Sequence, residues 1–149
     1  MSNARSTTSW EANLVESPEE IRRIMQECRT IAVVGMKDSR YEPAFYVPEY
    51  LKRQGYRIIP VNPNFDQILG ERCFPSLLDV EEKVDLVQLF RASHNVMPHA
   101  REAIRVSPQV FWMQDGIEHA EAARMLAQAG IRVVQNRCML HDHIQLMGR

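Results

Sequence analysis

Cysteine is scarce. Cys28, Cys73 and Cys138 are odd in number and set far apart, which suits free thiols in a reducing compartment and excludes a disulfide framework. Net charge is almost absent as well, at -1, so no surface of the kind that binds nucleic acid is advertised. No apolar run approaches the ~18 residues that a membrane span needs. Internal repeats, low-complexity tracts and long linkers are missing too. Met1 to Ser9 are polar, with one Arg and no apolar stretch of the secretory type. The expectation is a cytosolic chain with a disordered tail over 1–16 and a single domain over 17–149, binding neither nucleic acid nor membrane. A homo-oligomer or a larger complex stays open.

What is present is an ordinary globular composition. Of 149 residues, 45% are apolar and 25% charged, enough for one well-buried core. Ser17-Pro18-Glu19-Glu20 reads as a helix start, with Ser17 as cap, Pro18 in the first turn and Glu20 closing a capping box. Ile21, Ile24, Met25 and Cys28 then share one face of a leading amphipathic helix.

Five short apolar runs follow: Ile31 to Val34, Tyr56 to Val61, Val84 to Phe90, Gln109 to Gln114 and Ile131 to Gln135. Their near-continuous β-branched and aromatic cores predict strands covered on both faces. Helical patterns separate most of them. One spans about 44–54 and stops at Gly55, one about 95–106 with Ser93 as cap, and one about 118–129 stopping at Gly130. Only 62–83 is irregular, with a short helix expected over 76–82. Alternating strand and helix predict an α/β, Rossmann-like, doubly wound parallel sheet of five strands. Helices would cover both faces, and the strand order would be 3-2-1-4-5 in sequence numbering.

In such a sheet a ligand lies outside the carboxyl ends of the strands. The first tip runs through Gly35, Met36, Lys37, Asp38, Ser39 and Arg40. Gly35 permits a tight turn, the following helix N-terminus suits phosphate, and Lys37 and Arg40 add positive charge. The three-glycine dinucleotide fingerprint is missing. At the second tip, Pro60-Val61-Asn62-Pro63 carries no acid to hold the ribose hydroxyls of NAD, and the prolines form a stiff apolar edge. Plain NAD is therefore disfavoured, whereas an NADP-dependent oxidoreductase or redox sensor remains a rival. A pure interaction module, with the crevice left as a relic, is a third reading.

The segments Thr30 to Gly35, Tyr56 to Pro63, Leu69-Gly70-Glu71, Phe90-Arg91, Val110 to Gly116 and Asn136-Arg137-Cys138 resemble the small stand-alone CoA-binding proteins. These are similar to the N-terminal CoA-binding domain of the succinyl-CoA synthetase α subunit. The resemblance runs from about Ile21 to Leu146 and implies coenzyme A as ligand. It implies that Gly35, Met36 and Lys37 line a diphosphate loop, with Arg40 on a phosphate. Val61, Asn62 and Pro63 would flank the adenosine part, and Phe90 and Arg91 would form a wall. Trp112, Gln114 and Gly116, with Asn136, Arg137 and Cys138, would lie toward the pantetheine arm. Two departures from the family pattern are Met36-Lys37, where small or hydroxyl residues are common, and Pro48 inside the expected first crossover helix. A helix beginning as late as Val47 would carry the phosphate site away from Lys37 and Arg40.

No catalytic constellation is legible. Acyl transfer needs a nucleophile or a placed acid–base pair. The resemblance puts the phosphorylated histidine and the partner subunit of the synthetases outside the matching domain. Cys138 is expected to be buried and inert, His94, His99 and His119 to sit at the surface, and 138–143 to form a solvated tail helix rather than a zinc site. The expected role is a non-catalytic carrier, sensor or subunit that binds CoA or an acyl-CoA.

Overall fold

A computed structural model describes residues 9–148. Helix α1 spans Pro18–Glu27, and the Ser17 side chain accepts from the Glu20 amide at 3.1 Å. Strand β1 (Thr30–Val34) leads through the first tip to α2 (Pro43–Arg53), and β2 (Arg57–Val61) follows. The irregular link holds a two-stranded ribbon of β3 (Gln67–Ile68) and β4 (Glu71–Arg72), then a single 3-10 turn at Leu77–Asp79 in place of the expected helix. The rest alternates regularly: β5 (Leu86–Leu89), α3 (Val96–Val106), β6 (Val110–Met113), α4 (Ala120–Gln128), β7 (Arg132–Val134) and α5 (Met139–Met147).

Five strands pair in parallel, in the order β2-β1-β5-β6-β7. The sheet is doubly wound, as the sequence predicts. Its order, counted along the five runs, is 2-1-3-4-5 rather than the expected 3-2-1-4-5. Pro60 explains the difference. Proline lacks the amide a central strand must donate, so it belongs on an edge. The outward-facing Pro60 carbonyl accepts from Phe74 N at 3.0 Å, and Phe74 O takes the Asn62 amide at 2.9 Å. The link thus covers the free edge of β2, and the third run pairs with the other side of β1.

The two faces bury different side chains, as strand alternation requires. Ile31, Val33, Ile58, Leu86, Val110 and Trp112 pack under α1, α2 and α5. Ala32, Val34, Ile59, Val87, Leu89 and Phe111 pack under α3 and α4, whose contact faces are alanine-rich. Trp112 and Phe111 are both fully buried, one on each face.

The expected tail over 1–16 is corrected in part. From Ser9 onward the described chain is packed: Val15 is buried, its amide donates to Val133 O, and Asn13 Nδ2 reaches Ala127 O at 2.9 Å. Residues 1–8 lie outside the described residues. The expected solvated helix over 138–143 is corrected too. Asp142 and His143 of α5 are buried, and α5 packs on α1 and α2. Ser93 does not cap α3. Its hydroxyl accepts from the Glu118 amide instead, tying α3's entry to the β6 tip.

Candidate functional site

The carboxyl edge of the sheet carries two cavities that share Arg91. The larger, about 390 Å³, lies over β5 and β6 between the start of α2 and the start of α5. Its wall is mostly apolar, from Pro43, Ala44, Val47, Phe90 and Leu140, with Lys37 at the mouth and Gln114 in the wall. The smaller, about 120 Å³, lies between the tips of β1 and β2 and helix α3. Val61, Pro63, Pro75 and Leu77 give it apolar sides, while Ser76, His99 and Glu102 supply polar groups.

Gly35 fixes the ridge between them. At φ +83° it sits where a Cβ would come 2.3 Å from Phe90 O and 3.1 Å from Arg91 Cδ. Any side chain there would push the β1 tip off the β5 tip. The loop that follows is also pinned. Pro48, inside α2, has no amide for the Ala44 carbonyl four residues back. Lys37 N donates to that carbonyl at 3.2 Å instead. The helix starts at Pro43 and not at Val47, so Pro48 anchors the first tip to α2 and leaves Lys37 at the cavity.

The structure brings Lys37, Phe90, Arg91, Gln114 and Cys138 to the larger cavity and Gly35, Val61, Asn62, Pro63 and Arg91 to the smaller. The other expected site residues stand elsewhere. Met36 is fully buried in the core under α2, so only its backbone faces the tip. Arg40 is exposed and lines neither cavity. Gly116 and Asn136 are exposed. Asn136 Oδ1 accepts from Gly116 N at 2.7 Å, so this pair closes the β6 and β7 tips. Arg137 turns from the cavities to grip Asp142 through two bonds of 2.7 and 2.8 Å. Donating to the Asp142 carboxylate pushes the Arg137 pKa up. Trp112, expected toward the pantetheine arm, is core, its indole N–H donating to Arg137 O at 2.8 Å.

Asn62 is buried and committed to the fold. Its Nδ2 donates to Met36 O at 2.9 Å and its Oδ1 accepts from Asn64 N at 2.9 Å. It holds the first and second tips together, leaving little of its side chain for a sugar. Cys138 is half-buried on the cavity wall and not sealed in the core. Cys28 and Cys73 are the buried thiols, and burial pushes the Cys28 pKa up to about 11. The zinc-type donors of this region diverge: Cys138 and His141 face the larger cavity, Asp142 holds Arg137, and His143 Nδ1 meets the Tyr50 hydroxyl at 2.8 Å.

Three residues were not read as site residues from the sequence, His99 having been expected at the surface. Gln88 is fully buried on β5, its Nε2 donating to Gln114 Oε1 at 3.2 Å. Gln114 Oε1 also accepts from Met139 N at 3.0 Å, so the pair fixes the start of α5. A lone amide inside the run Leu86-Val87-Gln88-Leu89 was the signal. His99 and Glu102 are the other two, on one side of α3 with His99 Nδ1 and Glu102 Oε1 3.5 Å apart. Their spacing of three along a helix places both at one cavity. Burial, ahead of the neighbouring charges, pulls the His99 pKa down.

The CoA binding domain profile matches residues 29–144. The Bacillus subtilis (strain 168) protein YneT is 35% identical over 127 residues, 85% of this chain and 94% of that protein. A solved structure of a protein from Pyrococcus horikoshii OT3 superposes with a TM-score of 0.87 at 35% identity, covering 89% of this chain and 94% of that one. The acetate–CoA ligase (ADP-forming) II of Archaeoglobus fulgidus is 40% identical over 60 residues, 39% of this chain and only 9% of the ligase. With a profile match across most of its length and a sheet whose tips build a two-part crevice, the chain belongs to the CoA binding domain family.

Proposed function

We propose that this chain binds coenzyme A or an acyl-CoA along the carboxyl edge of its sheet, as a non-catalytic carrier, sensor or subunit acting in the cytosol. The observation that carries the reading is the pair of cavities meeting at Arg91. CoA is itself two unlike halves joined by a charged diphosphate. The nucleotide half suits the small cavity with its proline walls. The pantetheine half, long and largely apolar, suits the larger one. The diphosphate then crosses the Gly35 ridge, where Arg91 and Lys37 supply positive charge. Gly35, Val61, Asn62, Pro63, Phe90, Gln114 and Cys138 complete the proposed site. Met36, Gly116, Asn136 and Arg137 support it from behind, while Arg40 lies outside it.

The acetate–CoA ligase relatives lend the ligand class, and the absence of an acid at the tip of β2 speaks for CoA over NAD. Among the described residues no helix is long and apolar enough to cross a membrane.

A thermal shift titration with CoA, acetyl-CoA, NAD, NADP and ATP at equal concentrations tests the reading. Ligand at 100 times its dissociation constant adds about 2.7 kcal/mol of apparent stability. CoA and acetyl-CoA are expected to raise the midpoint, and Arg91→Ala to abolish most of the rise. A shift with NADP and none with CoA would overturn it.

A further inference from the structure

The small cavity contains one feature that a phosphate-binding pocket should not have: a carboxylate. Glu102 lines it together with Ser76 and His99, and its side chain is 28% exposed. Ser76 Oγ donates to Glu102 Oε2 at 3.3 Å, which steadies the carboxylate. His99 Nδ1 lies 3.5 Å from Glu102 Oε1 but makes no hydrogen bond. A carboxylate offers about four acceptor sites, so Glu102 retains capacity toward the cavity. The remaining walls are largely apolar, from Val34, Val61, Pro63, Pro75 and Leu77, with Gly35, Asn62 and Arg91 along the strand tips. At about 120 Å³ the space admits only part of a nucleotide. A planar base with an amino group pointing at the carboxylate satisfies both kinds of wall. A phosphate seated against Glu102 would meet a like charge, which leaves Arg91, at the cavity's edge, for the phosphates.

We propose that Glu102 reads the 6-amino group of an adenine seated in the small cavity and thereby sets the base preference of this site. The inference rests on the ligand reading above and deepens it. The amino nitrogen donates and the carboxylate accepts, a charge-assisted bond. A 6-oxo base would set its own acceptor against the carboxylate, so neither group gains a donor from the other. His99 helps by remaining neutral. Its burial disfavours the imidazolium, so it does not quench the charge of Glu102 as a full ion pair would. Arg91, at the junction with the larger cavity, is the cation left for the diphosphate.

The test compares binding of CoA with that of its analogue carrying hypoxanthine in place of adenine, by calorimetry on the full chain, for wild type and E102Q. A glutamine can turn either its carbonyl or its amide nitrogen to the base, so it keeps the shape and loses the discrimination. Wild type is expected to favour CoA by roughly 10- to 100-fold, and E102Q to bring the two ligands within about threefold, with an unchanged melting midpoint in the absence of ligand. Equal binding of both bases by wild type, or full discrimination by E102Q, would overturn the inference. So would E102Q tightening CoA but not dephospho-CoA, because Glu102 would then be facing the 3′-phosphate. Failure of wild type to bind CoA at all would overturn the ligand reading instead. The base preference would then stand or fall on ADP against IDP in the same assay.

Discussion

Glycines of equal backbone conformation carry unequal weight in this chain. Gly35 and Gly116 both sit at strand tips with φ of +83° and +84°, where an L side chain costs about 1–2 kcal/mol. An added Cβ at Gly116 meets nothing within 4 Å, whereas at Gly35 it meets the Phe90 carbonyl. G116A should therefore lose about 1 kcal/mol, and G35A roughly 2–4 kcal/mol through the added backbone clash. Urea unfolding of the two variants checks this, and equal losses would mean that the β1 and β5 tips can separate freely. The sequence marks Gly35 as a turn residue that lets a ligand approach. The structure gives it a prior duty, the close packing of two strand ends, which no single-chain pattern reveals. Asn62 is similar: its position at a tip was legible, but its two bonds to Met36 O and Asn64 N depend on how the tips fold back.

The elements were legible wherever periodicity and caps agreed, as in Ser17 before α1 and the glycines after α2 and α4. What failed was ordering and accessory structure. Pro60 in β2 already marked an edge strand, and reading it as such yields the observed order without the coordinates. The link over 62–83 was opaque because its strands β3 and β4 are two residues each, too short to show a period, and its place is set by backbone bonds beside β2. Pro48 shows the reverse situation, since an apparent breaker proves to be a fastener. Replacing it by alanine restores an amide that competes with Lys37 N for the Ala44 carbonyl. In P48A the Lys37 amide should exchange with solvent about fivefold faster, the loss of one hydrogen bond of about 1 kcal/mol, while the amides of α2 become better protected. Unchanged protection at Lys37 would show that the loop is held by something other than that bond.

At the scale of the whole molecule, one sheet serves two purposes. Its centre is an apolar sandwich, with Phe111 and Trp112 buried on opposite faces. Its carboxyl edge is a line of backbone tips that the alternating crossovers leave uncovered. The general position of a site at that edge follows from topology alone, and so was legible before any coordinates. Its division into two cavities was not, because the dividing ridge is Gly35 against Phe90 and Arg91, a contact between residues 55 positions apart. The same folding removes Arg40 and Arg137 from the crevice and brings Glu102 and His99 into it from α3.

A single ligand spanning both cavities is what the two-part crevice predicts, and an amide NMR titration with CoA addresses that directly. Saturating CoA is expected to shift two separate groups of resonances with one common affinity. One group, Gly35, Val61, Ser76 and Glu102, reports the small cavity, and the other, Ala44, Gln114 and Leu140, the large one. Shifts confined to one group, or clustered where α5 meets α2 around the Tyr50–His143 contact, would contradict it.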